Sequence, residues 1–443
     1  MAASVFDSPL FARLFPTGEA GRLFTDTAEV RAMLLVEGML AKVQGEMGVI
    51  PEDSAFFIQR AAMEVQIDPA GLADETGENG VSVPGLVAAF RKAMEAPDHA
   101  QYVHWGATSQ DITDTGLMLR LRSLLTLVEK DLQKCLNALA DLAEAHAETP
   151  MAARTWGQVA TLTSFGAQAA EWGNPLLALH EDLPALREAC LVLSMSGASG
   201  TSAAYGAHAP EMRAALAKAL NLRDPGRSWH TDRTPVLRLA DWLVRVNVAL
   251  GKIGEDLIAM AMSGISEVDL GSGGASSTMP QKQNPVAAST LAALARQGGG
   301  LNGTLQAAGM QKHQRDAAAW FTEWLCLPQI CLGAASAAGI AADLLAGITP
   351  RPEAMARTAE DPQQLIYAEA LSFALTEQLP RPEAQAATKA LCKEVNATGA
   401  SLSSLVARDY PDLDRARVFD PVQQMGLAPD AARAFAKRVR ATG

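Results

Sequence analysis

The chain has little of several things that would point to a particular class of protein. Only 5 of its 443 residues are cysteines, and none has Cys-x-x-Cys spacing, so neither a disulfide framework nor a zinc site is indicated. Lysine and arginine (37) are outnumbered by acidic residues (49), and the net charge of −12 argues against a nucleic-acid partner. Charged residues make up only 19% of the chain, which indicates that other subunits cover much of its surface.

Secretory and membrane-spanning segments are also missing from the sequence pattern. Residues 1–15 lack a charged stretch followed by an apolar run. The longest uncharged apolar stretch, Ile330 to Ala342, is shorter than the ~18 residues that a membrane span needs. Since 49% of the residues are hydrophobic, the chain can still bury a large core. We therefore expect a cytoplasmic, reduced protein with no membrane partner.

Helical periodicity is the main feature that the chain does have. Between residues 116 and 148, leucine or valine recurs every three or four positions, and no proline interrupts the pattern. A second segment of this kind runs from Val236 to about Met262, and others are predicted at 159–188, 286–311 and 329–347. Such long helices are marginal alone and must pack on one another or on other chains. The pattern predicts an all-α protein with a long central helical bundle.

Two breaks in the pattern suggest a three-part organisation. One lies near residue 110, where a mixed region gives way to the long helices, and the other lies at 347–352, where two prolines occur. We expect an N-terminal mixed or helical domain over 1–110, a long-helix domain over 111–348 and a small helical domain over 349–443. Within the first of these, VSVPG at 81–85 is predicted to be a loop.

The stretch at 271–285, GSGGASSTMPQKQNP, is the least helix-like part of the middle of the chain. Asn284 suits a helix N-cap and Pro285 suits the first helical position, where its missing N–H costs nothing. A glycine-rich loop before a helix N-terminus is rich in backbone donors and favours anions. A plain flexible connection between helices would have the same composition, so both interpretations stay open at this point.

The motif within that stretch is more specific than its composition. SSTMPQKQNP at 276–285 resembles the signature loop of the fumarase/aspartase superfamily, GSSxMPxKxNP, with Ala275 where glycine is usual. VHWGATSQD at 103–111, RTWGQ at 154–158 and SGASGT at 196–201 are similar to other shared regions of that superfamily, in the same order. The resemblance implies a three-domain fold of that type and a homotetramer with a twenty-helix core. It also implies active sites assembled from three subunits.

The resemblance also implies roles for individual residues. By position, Ser276 would be the acid/base at a carbon next to a carboxylate, while Lys282 and Asn284 would hold the aci-carboxylate that forms when the proton moves. A polycarboxylate substrate would contact His104, Thr108, Ser109, Arg154, Trp156 and Gln158 in the matching stretches, and His313 and Arg315 in KHQR at 312–315. No metal cluster, phosphate loop or dinucleotide fingerprint occurs, so we expect no metal and no cofactor.

Two departures from the superfamily pattern narrow the reaction. The histidine that protonates the leaving nitrogen in adenylosuccinate and argininosuccinate lyases is replaced by Trp156, and its glutamate partner by Ser289. Tryptophan cannot deliver a proton at neutral pH. A substrate carboxylate that attacks a double bond is already ionised at pH 7, because carboxyl groups titrate near pH ~4. Lactone closure would therefore need only a proton at carbon, which Ser276 would supply.

The Arg-Thr-Trp element, WHT at 229–231 and AWFTEW at 319–324 resemble the family of 3-carboxy-cis,cis-muconate cycloisomerases. That resemblance implies a lactonizing enzyme of the protocatechuate branch of the β-ketoadipate pathway. Two alternatives stay open: an adenylosuccinate-type or other succinyl-group lyase that releases fumarate, and a non-enzymatic structural relative. The intact Ser276, Lys282 and Asn284 argue against the last of these.

Overall fold

The structure is a computed structural model, and it describes residues 4–271, 274, 275, 279 and 282–442. Helices dominate the described residues. In chain order they are α1 Gly18–Arg22, α2 Asp26–Glu46, α3 Glu52–Glu64, α4 Ala73–Asn79, α5 Val83–Ala93, α6 Pro97–Ala100, α7 Ser109–Ala145, α8 Phe165–Cys190, α9 Ala209–Leu220, α10 Thr234–Met260, α11 Val286–Ala307, α12 Ala317–Gly347, α13 Pro352–Ala359, α14 Ala368–Ala374, α15 Arg381–Thr398, α16 Leu402–Asp409, α17 Arg415–Val418, α18 Pro421–Gln424 and α19 Ala428–Ala441.

The strands are short and form antiparallel pairs. They are β1 Pro150–Thr155, β2 Gln158–Ser164, β3 Val268–Asp269, β4 Gly274–Ala275, β5 Gln283–Asn284 and β6 Thr349–Pro350. The pairs are β1 with β2, β3 with β6, and β4 with β5. Only the first pair is long enough to be a hairpin of its own, so the prediction of an all-α fold is confirmed with this one addition.

The chain divides into two compact units. Unit 1 consists of Met1–Asp131, Leu179–Val248 and Ala293–Ile340, and unit 2 consists of Leu132–Ala178, Ala249–Ala292 and Ala341–Gly443. The division falls inside α7, α8, α10, α11 and α12, so each of these helices has residues in both units. The division into three consecutive domains expected from the sequence is of a different kind, because each compact unit combines three separate segments of the chain. It stays a prediction.

In unit 1 the long helices pack closely through small residues. A Cβ at Gly298 of α11 would lie 3.1 Å from Asn247 Nδ2 of α10, and one at Gly333 of α12 would lie 3.7 Å from the same atom. Trp242 Nε1 of α10 donates to Leu179 O of α8 at 3.0 Å. Interiors are packed this densely when facing surfaces interlock, so these contacts define a helical bundle.

Unit 2 shows the same kind of packing. A Cβ at Gly254 of α10 would lie 2.5 Å from Ala288 O of α11, and one at Gly166 of α8 would lie 2.4 Å from Ala143 O of α7. Trp172 of α8 is buried and donates Nε1–H to Asp256 Oδ2 of α10 at 2.7 Å. The predicted bundle of long helices is therefore confirmed within each unit.

Helix α12 is longer than the sequence suggested, since it begins at Ala317 rather than near 329. By length and composition alone it could cross a membrane, but 67% of its most apolar window is buried inside the protein. The core helix of a soluble protein has the same combination of apolar length and burial. We interpret α12 as a core helix.

Three local predictions are wrong. Residues 159–164 are not the start of a helix but strand β2, because Trp156 and Gly157 have φ of 55° and 74° and form a tight hairpin turn. Residues 83–85 are not a loop but the start of α5, since proline fits the first turn and Val83 is buried. Asn284 is not an N-cap: it pairs with Gly274 in a short ladder, and α11 begins at Val286.

Helix α2 brings two buried polar side chains toward the segment that precedes α7. It packs against α3 through glycines, since a Cβ at Gly38 would lie 2.7 Å from Ala62 Cβ and one at Gly45 would lie 2.3 Å from Ala55 Cβ. This close approach buries most of α2, including Glu37 and Gln44.

Candidate active site

A tight turn immediately before α7 shapes the first part of the site. His104 and Gly106 have left-handed backbone conformations, with φ of 63° and 77°. A Cβ at Gly106 would lie 2.4 Å from Tyr205 Cε1, so only glycine fits beside that ring. The turn leads to Thr108 and to Ser109, the first residue of α7.

Asp111 is the hydrogen-bond centre of this region and is completely buried. Its Oδ1 accepts from Ser196 N and His230 Nε2, both at 2.8 Å, and from Ser194 Oγ at 3.4 Å, while its Oδ2 accepts from Gly197 N at 2.9 Å and Thr108 N at 3.2 Å. The bond to Thr108 is the backward half of a capping box, so Asp111 fixes the start of α7. All five partners are donors, which is an arrangement that suits an ionised carboxylate.

Arg315 is held in place by neutral acceptors at the start of α7. Its Nε donates to Gln110 Oε1 at 2.9 Å, and its Nη2 donates to Thr108 Oγ1 and to Ala198 O, both at 3.1 Å. Gln110 in turn donates to His230 O at 2.9 Å. Within the described part of the chain Arg315 has no carboxylate partner, so its charge is held in place but not neutralised. A substrate carboxylate could pair with it.

His104 is a second group near the start of α7 that can carry a positive charge. Its Nδ1 lies 2.6 Å from Glu37 Oε1, and Glu37 is 1% exposed. Burial disfavours the imidazolium, but the hydrogen bond to Glu37 and the charges of Glu37 and Asp111 outweigh burial and a nearby arginine, Arg91, so the pKa of His104 is raised. His104 precedes the start of α7 and Arg315 binds Thr108 and Gln110 at that start, so the raised pKa of His104 and the charge of Arg315 both favour an anion in unit 1.

A buried ion cluster supports this end of α7. The guanidinium of Arg233, with no exposed side-chain surface, binds Asp114 of α7 at 2.7 and 3.0 Å and Glu323 of α12 with two contacts of 2.7 Å. Burial raises the pKa of Glu323, and Asp114 adds to the rise against the lowering effect of Arg233. The Arg233 guanidinium also lies 4.8 Å from the ring of Trp229, which fixes the segment that carries His230.

The predicted residues Arg154, Trp156 and Gln158 belong to the β1–β2 hairpin in unit 2. Arg154 makes a two-pronged ion pair with Glu267, at 2.9 and 2.8 Å, and Glu267 is completely buried. Trp156 is 100% exposed at the turn, and Gln158 is exposed beside it. The hairpin thus presents a tryptophan side chain outward and keeps its arginine paired.

The signature loop is described only in part. Ser276 lies outside the described residues, so the prediction for it has no structural counterpart. Lys282 is exposed, and Asn284 is half-buried in β5, which pairs with β4. His313 in unit 1 is exposed, with φ of 54°, two residues before Arg315. The structure thus places His104, Thr108, Ser109 and Arg315 in unit 1, where Arg315 binds Thr108, while Lys282 and Asn284 belong to unit 2.

Four residues of the site were not predicted from the sequence. Gln110 and Asp111 lie inside the matched stretch 103–111, and His230 lies inside WHT, so the signal was present without a role attached to it. Glu37 has a weaker signal, as the one acidic residue in the apolar run AMLLVEGMLA at 32–41. Among the described residues, no group of three or more histidine, cysteine or acidic side chains is arranged to hold a metal ion.

Comparison with known proteins gives consistent matches over nearly the whole chain. The family described as Lyase matches residues 21–300. A 3-carboxy-cis,cis-muconate cycloisomerase from Pseudomonas aeruginosa is 36% identical over 98% of this chain and 96% of its own. A nitrosuccinate lyase from Streptomyces davaonensis is 32% identical over 96% of this chain and 94% of its own.

The fold is shared with solved structures. The crystal structure of the 3-carboxy-cis,cis-muconate lactonizing enzyme from Pseudomonas putida matches with a TM-score of 0.91 and 33% identity, covering 98% of this chain and 99% of that one. These matches confirm the all-α fold and the resemblance seen in the motifs. The chain belongs to the lyase family, among the relatives of the 3-carboxy-cis,cis-muconate cycloisomerases.

Proposed function

We propose that this protein is a 3-carboxy-cis,cis-muconate cycloisomerase of the protocatechuate branch of the β-ketoadipate pathway. A substrate carboxylate oxygen adds to one end of a conjugated double bond, and the electron pair moves toward the neighbouring carboxylate. A proton then adds to the carbon next to that carboxylate, which leaves a carboxymuconolactone. The observation that carries the proposal is the tryptophan at position 156.

The tryptophan at position 156 argues against reactions in which a general acid must protonate the leaving group. It occupies the place of the superfamily's histidine, and its indole N–H is a donor that does not ionise at neutral pH. Ser289 stands in place of the glutamate that partners this histidine in the superfamily, and it is an exposed residue of α11. An attacking carboxylate is ionised at pH 7 and leaves no amine to protonate. The reaction that fits is therefore one in which only carbon receives a proton.

The site supports binding of a tricarboxylate. Arg315 is a cation held by three acceptors without a carboxylate partner among the described residues, and the raised pKa of His104 favours its cationic form. Lys282, which is exposed, is assigned to the same substrate by the resemblance of the signature loop alone. Ser276 delivers the proton to carbon, with Lys282 and Asn284 stabilising the aci-carboxylate. We assign the remaining substrate contacts to Thr108, Ser109, Arg154, Trp156, Gln158 and His313. No cofactor takes part in this scheme.

The exposed apolar side chains support a homotetramer with sites shared between subunits. On α12, Leu325 is 69% exposed and Trp324 is 39% exposed, and Trp156 is fully exposed at its turn. Large apolar side chains that a single chain leaves exposed support self-association. Sedimentation of the pure protein should give about four times the 46.7 kDa chain mass. We place the enzyme in the cytoplasm.

A fumarate-releasing lyase is the second candidate, and one observation favours it. Trp156 also permits elimination when the leaving group departs as a stable anion, because such a group needs no proton. One of the relatives is named as a nitrosuccinate lyase. A succinyl compound with an anionic leaving group would fit the same carboxylate-binding residues.

Two assays on one enzyme preparation separate the candidates. Cyclisation removes the absorbance of the muconate diene, whereas a succinyl-group lyase produces fumarate. We expect rapid loss of the diene and no fumarate from succinyl compounds. Efficient fumarate release without lactone formation would favour the second candidate, and no activity on any superfamily substrate would favour a structural relative.

The role of the serine is tested by substitution. Ser276→Ala should lower kcat by about 100-fold or more, because positioned acid–base groups contribute about that much. Ser263→Ala, at an exposed serine, is the matched control. Equal activity of the two variants would contradict the assignment of Ser276.

A further inference from the structure

We infer that Glu37 of α2 is a positioning residue for substrate binding: it fixes the imidazole of His104 so that Nε2–H binds a substrate carboxylate. This inference rests on the proposed function, since it names the support of the same carboxylate site. Glu37 itself does not contact the substrate. It acts through His104, whose Nδ1 lies 2.6 Å from Glu37 Oε1.

Three side chains, two from α2 and one from α5, hold the turn that carries His104. Arg91 Nη2 of α5 donates to Val103 O at 2.8 Å, and Gln44 Nε2 of α2 donates to Trp105 O at 2.8 Å. These two bonds fix the backbone on each side of His104, which has a left-handed conformation. Glu37 is the one group of the three that binds the side chain. It therefore controls the ring while the other two control the backbone.

The second ring nitrogen of His104, Nε2, is available to a ligand. With Nδ1 paired to Glu37, Nε2 of His104 has no hydrogen-bond partner in the part of the chain that the structure describes. The side chain of His104 is 20% exposed, so a ligand can reach it. An N–H that is fixed in direction and free of internal partners is the donor geometry that carboxylate binding requires.

Packing does not explain the presence of Glu37. The residue is 1% exposed on a helix whose nearby positions Val36 and Leu40 are also buried, and its Oε2 has no partner among the described residues. A buried carboxylate with an unsatisfied oxygen lowers stability, and an apolar side chain would pack there at no such cost. The charge is therefore retained for its effect on His104.

The charges around His104 favour its cationic form. Glu37 on α2 and Asp111 on α7 are negative, Arg91 on α5 is positive, and burial acts in the same direction as Arg91. Tyr205 stays neutral, because burial and the charges of Asp111 and Glu37 raise its pKa. The pKa of His104 is raised in sum, so the imidazolium persists below that raised value and is lost as the pH increases through it.

The experiment compares Glu37→Gln with wild type at two pH values. Glutamine keeps the shape and one acceptor oxygen but removes the charge, so the imidazolium of His104 is lost at lower pH. Isothermal calorimetry with tricarballylate, a non-reacting tricarboxylate, in two buffers of different ionisation enthalpy gives both the affinity and the protons taken up. Glu46→Gln, at an exposed glutamate of the same helix, is the matched control.

We expect Glu37→Gln to bind tricarballylate about tenfold more weakly than wild type at pH 8, because a neighbouring opposite charge commonly shifts a pKa by roughly one to three units. The difference between the two proteins should be smaller at pH 6 than at pH 8, because the imidazolium of His104 is increasingly populated in both as the pH falls. At pH 8 the variant should take up more protons on binding than wild type, and adding His104→Gln should abolish that excess. In cyclisation the KM should rise at pH 8 while kcat stays within about twofold.

The remaining outcomes are decisive as well. An equal loss of affinity at pH 6 and pH 8 would show a merely structural role for Glu37 and overturn the inference, as would unchanged affinity and proton uptake. Failure of the wild type to bind tricarballylate would remove His104 as a carboxylate site. If the wild type binds tricarballylate but does not cyclise the muconate, the proposed function fails while calorimetry still decides the role of Glu37.

Discussion

The replacement Asp111→Asn tests the hydrogen-bond centre of the site. The Oδ1 side of Asp111 receives Ser196 N, His230 Nε2 and Ser194 Oγ, and the Oδ2 side receives Gly197 N and Thr108 N. An asparagine amide offers one acceptor oxygen and one donor NH2. If the oxygen takes the Oδ1 side, two backbone N–H groups are left unpaired.

The reverse orientation costs less but is still unfavourable. If the NH2 group takes the Oδ1 side, His230 and Ser194 can turn into acceptors, but the backbone N–H of Ser196 cannot. A buried unpaired N–H costs about 1–3 kcal/mol, and loss of the charge weakens the bonds that remain. We expect Asp111→Asn to lower the free energy of unfolding by about 2–4 kcal/mol.

The assay is urea unfolding followed by tryptophan fluorescence at fixed protein concentration, with Asp74→Asn at an exposed position as the control. The KM should also rise, since Ala198 O, next to the segment that Asp111 holds, accepts from Arg315. A variant that unfolds within about 0.5 kcal/mol of wild type would refute the reasoning, because it would mean that none of these buried donors needs the carboxylate.

Three further substitutions test individual charged side chains. Arg315→Met should raise the KM about 10–100-fold with little change in kcat, while Arg315→Lys recovers part of the loss; an unchanged KM in steady-state kinetics would contradict a substrate contact. Arg233→Met should destabilise the fold by about 3–5 kcal/mol, because two buried carboxylates lose their cation. That loss should shrink in thermal melts at low pH, where Glu323, with its raised folded-state pKa, takes up a proton, and a pH-independent loss would argue against this. Glu267→Gln should loosen the hairpin and speed proteolysis at its turn, and an unaltered cleavage rate would count against the buried ion pair.

The proposed cyclisation needs no general acid for a leaving group, and the lack of a histidine at position 156 excludes the nitrogen-expelling reactions that do need one. A histidine restored by Trp156→His would lie on an exposed turn, without the glutamate that Ser289 replaces. It should not create efficient nitrogen-expelling activity, because an isolated imidazole lacks the partner that would hold its proton. Measurement of fumarate release from adenylosuccinate by this variant checks the point, and turnover comparable to cyclisation would contradict it.

Much of the fold could be predicted from the leucine periodicity. The bounds of helices α7 and α10 lie close to those of the segments inferred from it, because apolar residues recur every three or four positions along the buried face of a long helix. The β1–β2 hairpin was missed because the apolar pattern that starts near 159 continues into α8, and the turn at Gly157 was not recognised. The start of α5 was missed because a glycine-rich region is typical of a loop, although the proline there also fits the first turn of a helix.

The sequence by itself predicted which segments carry the site, because the order of motifs is a property of the chain. It also indicated that reactions which need a general acid at position 156 are excluded, because a tryptophan stands there. Only the tertiary structure decided what holds the site together. Glu37 meets His104 across 67 positions, and Asp111 meets His230 across 119. Nothing local in the chain encodes such pairs, since a buried polar group takes its partners from whichever segments the packed helices bring beside it.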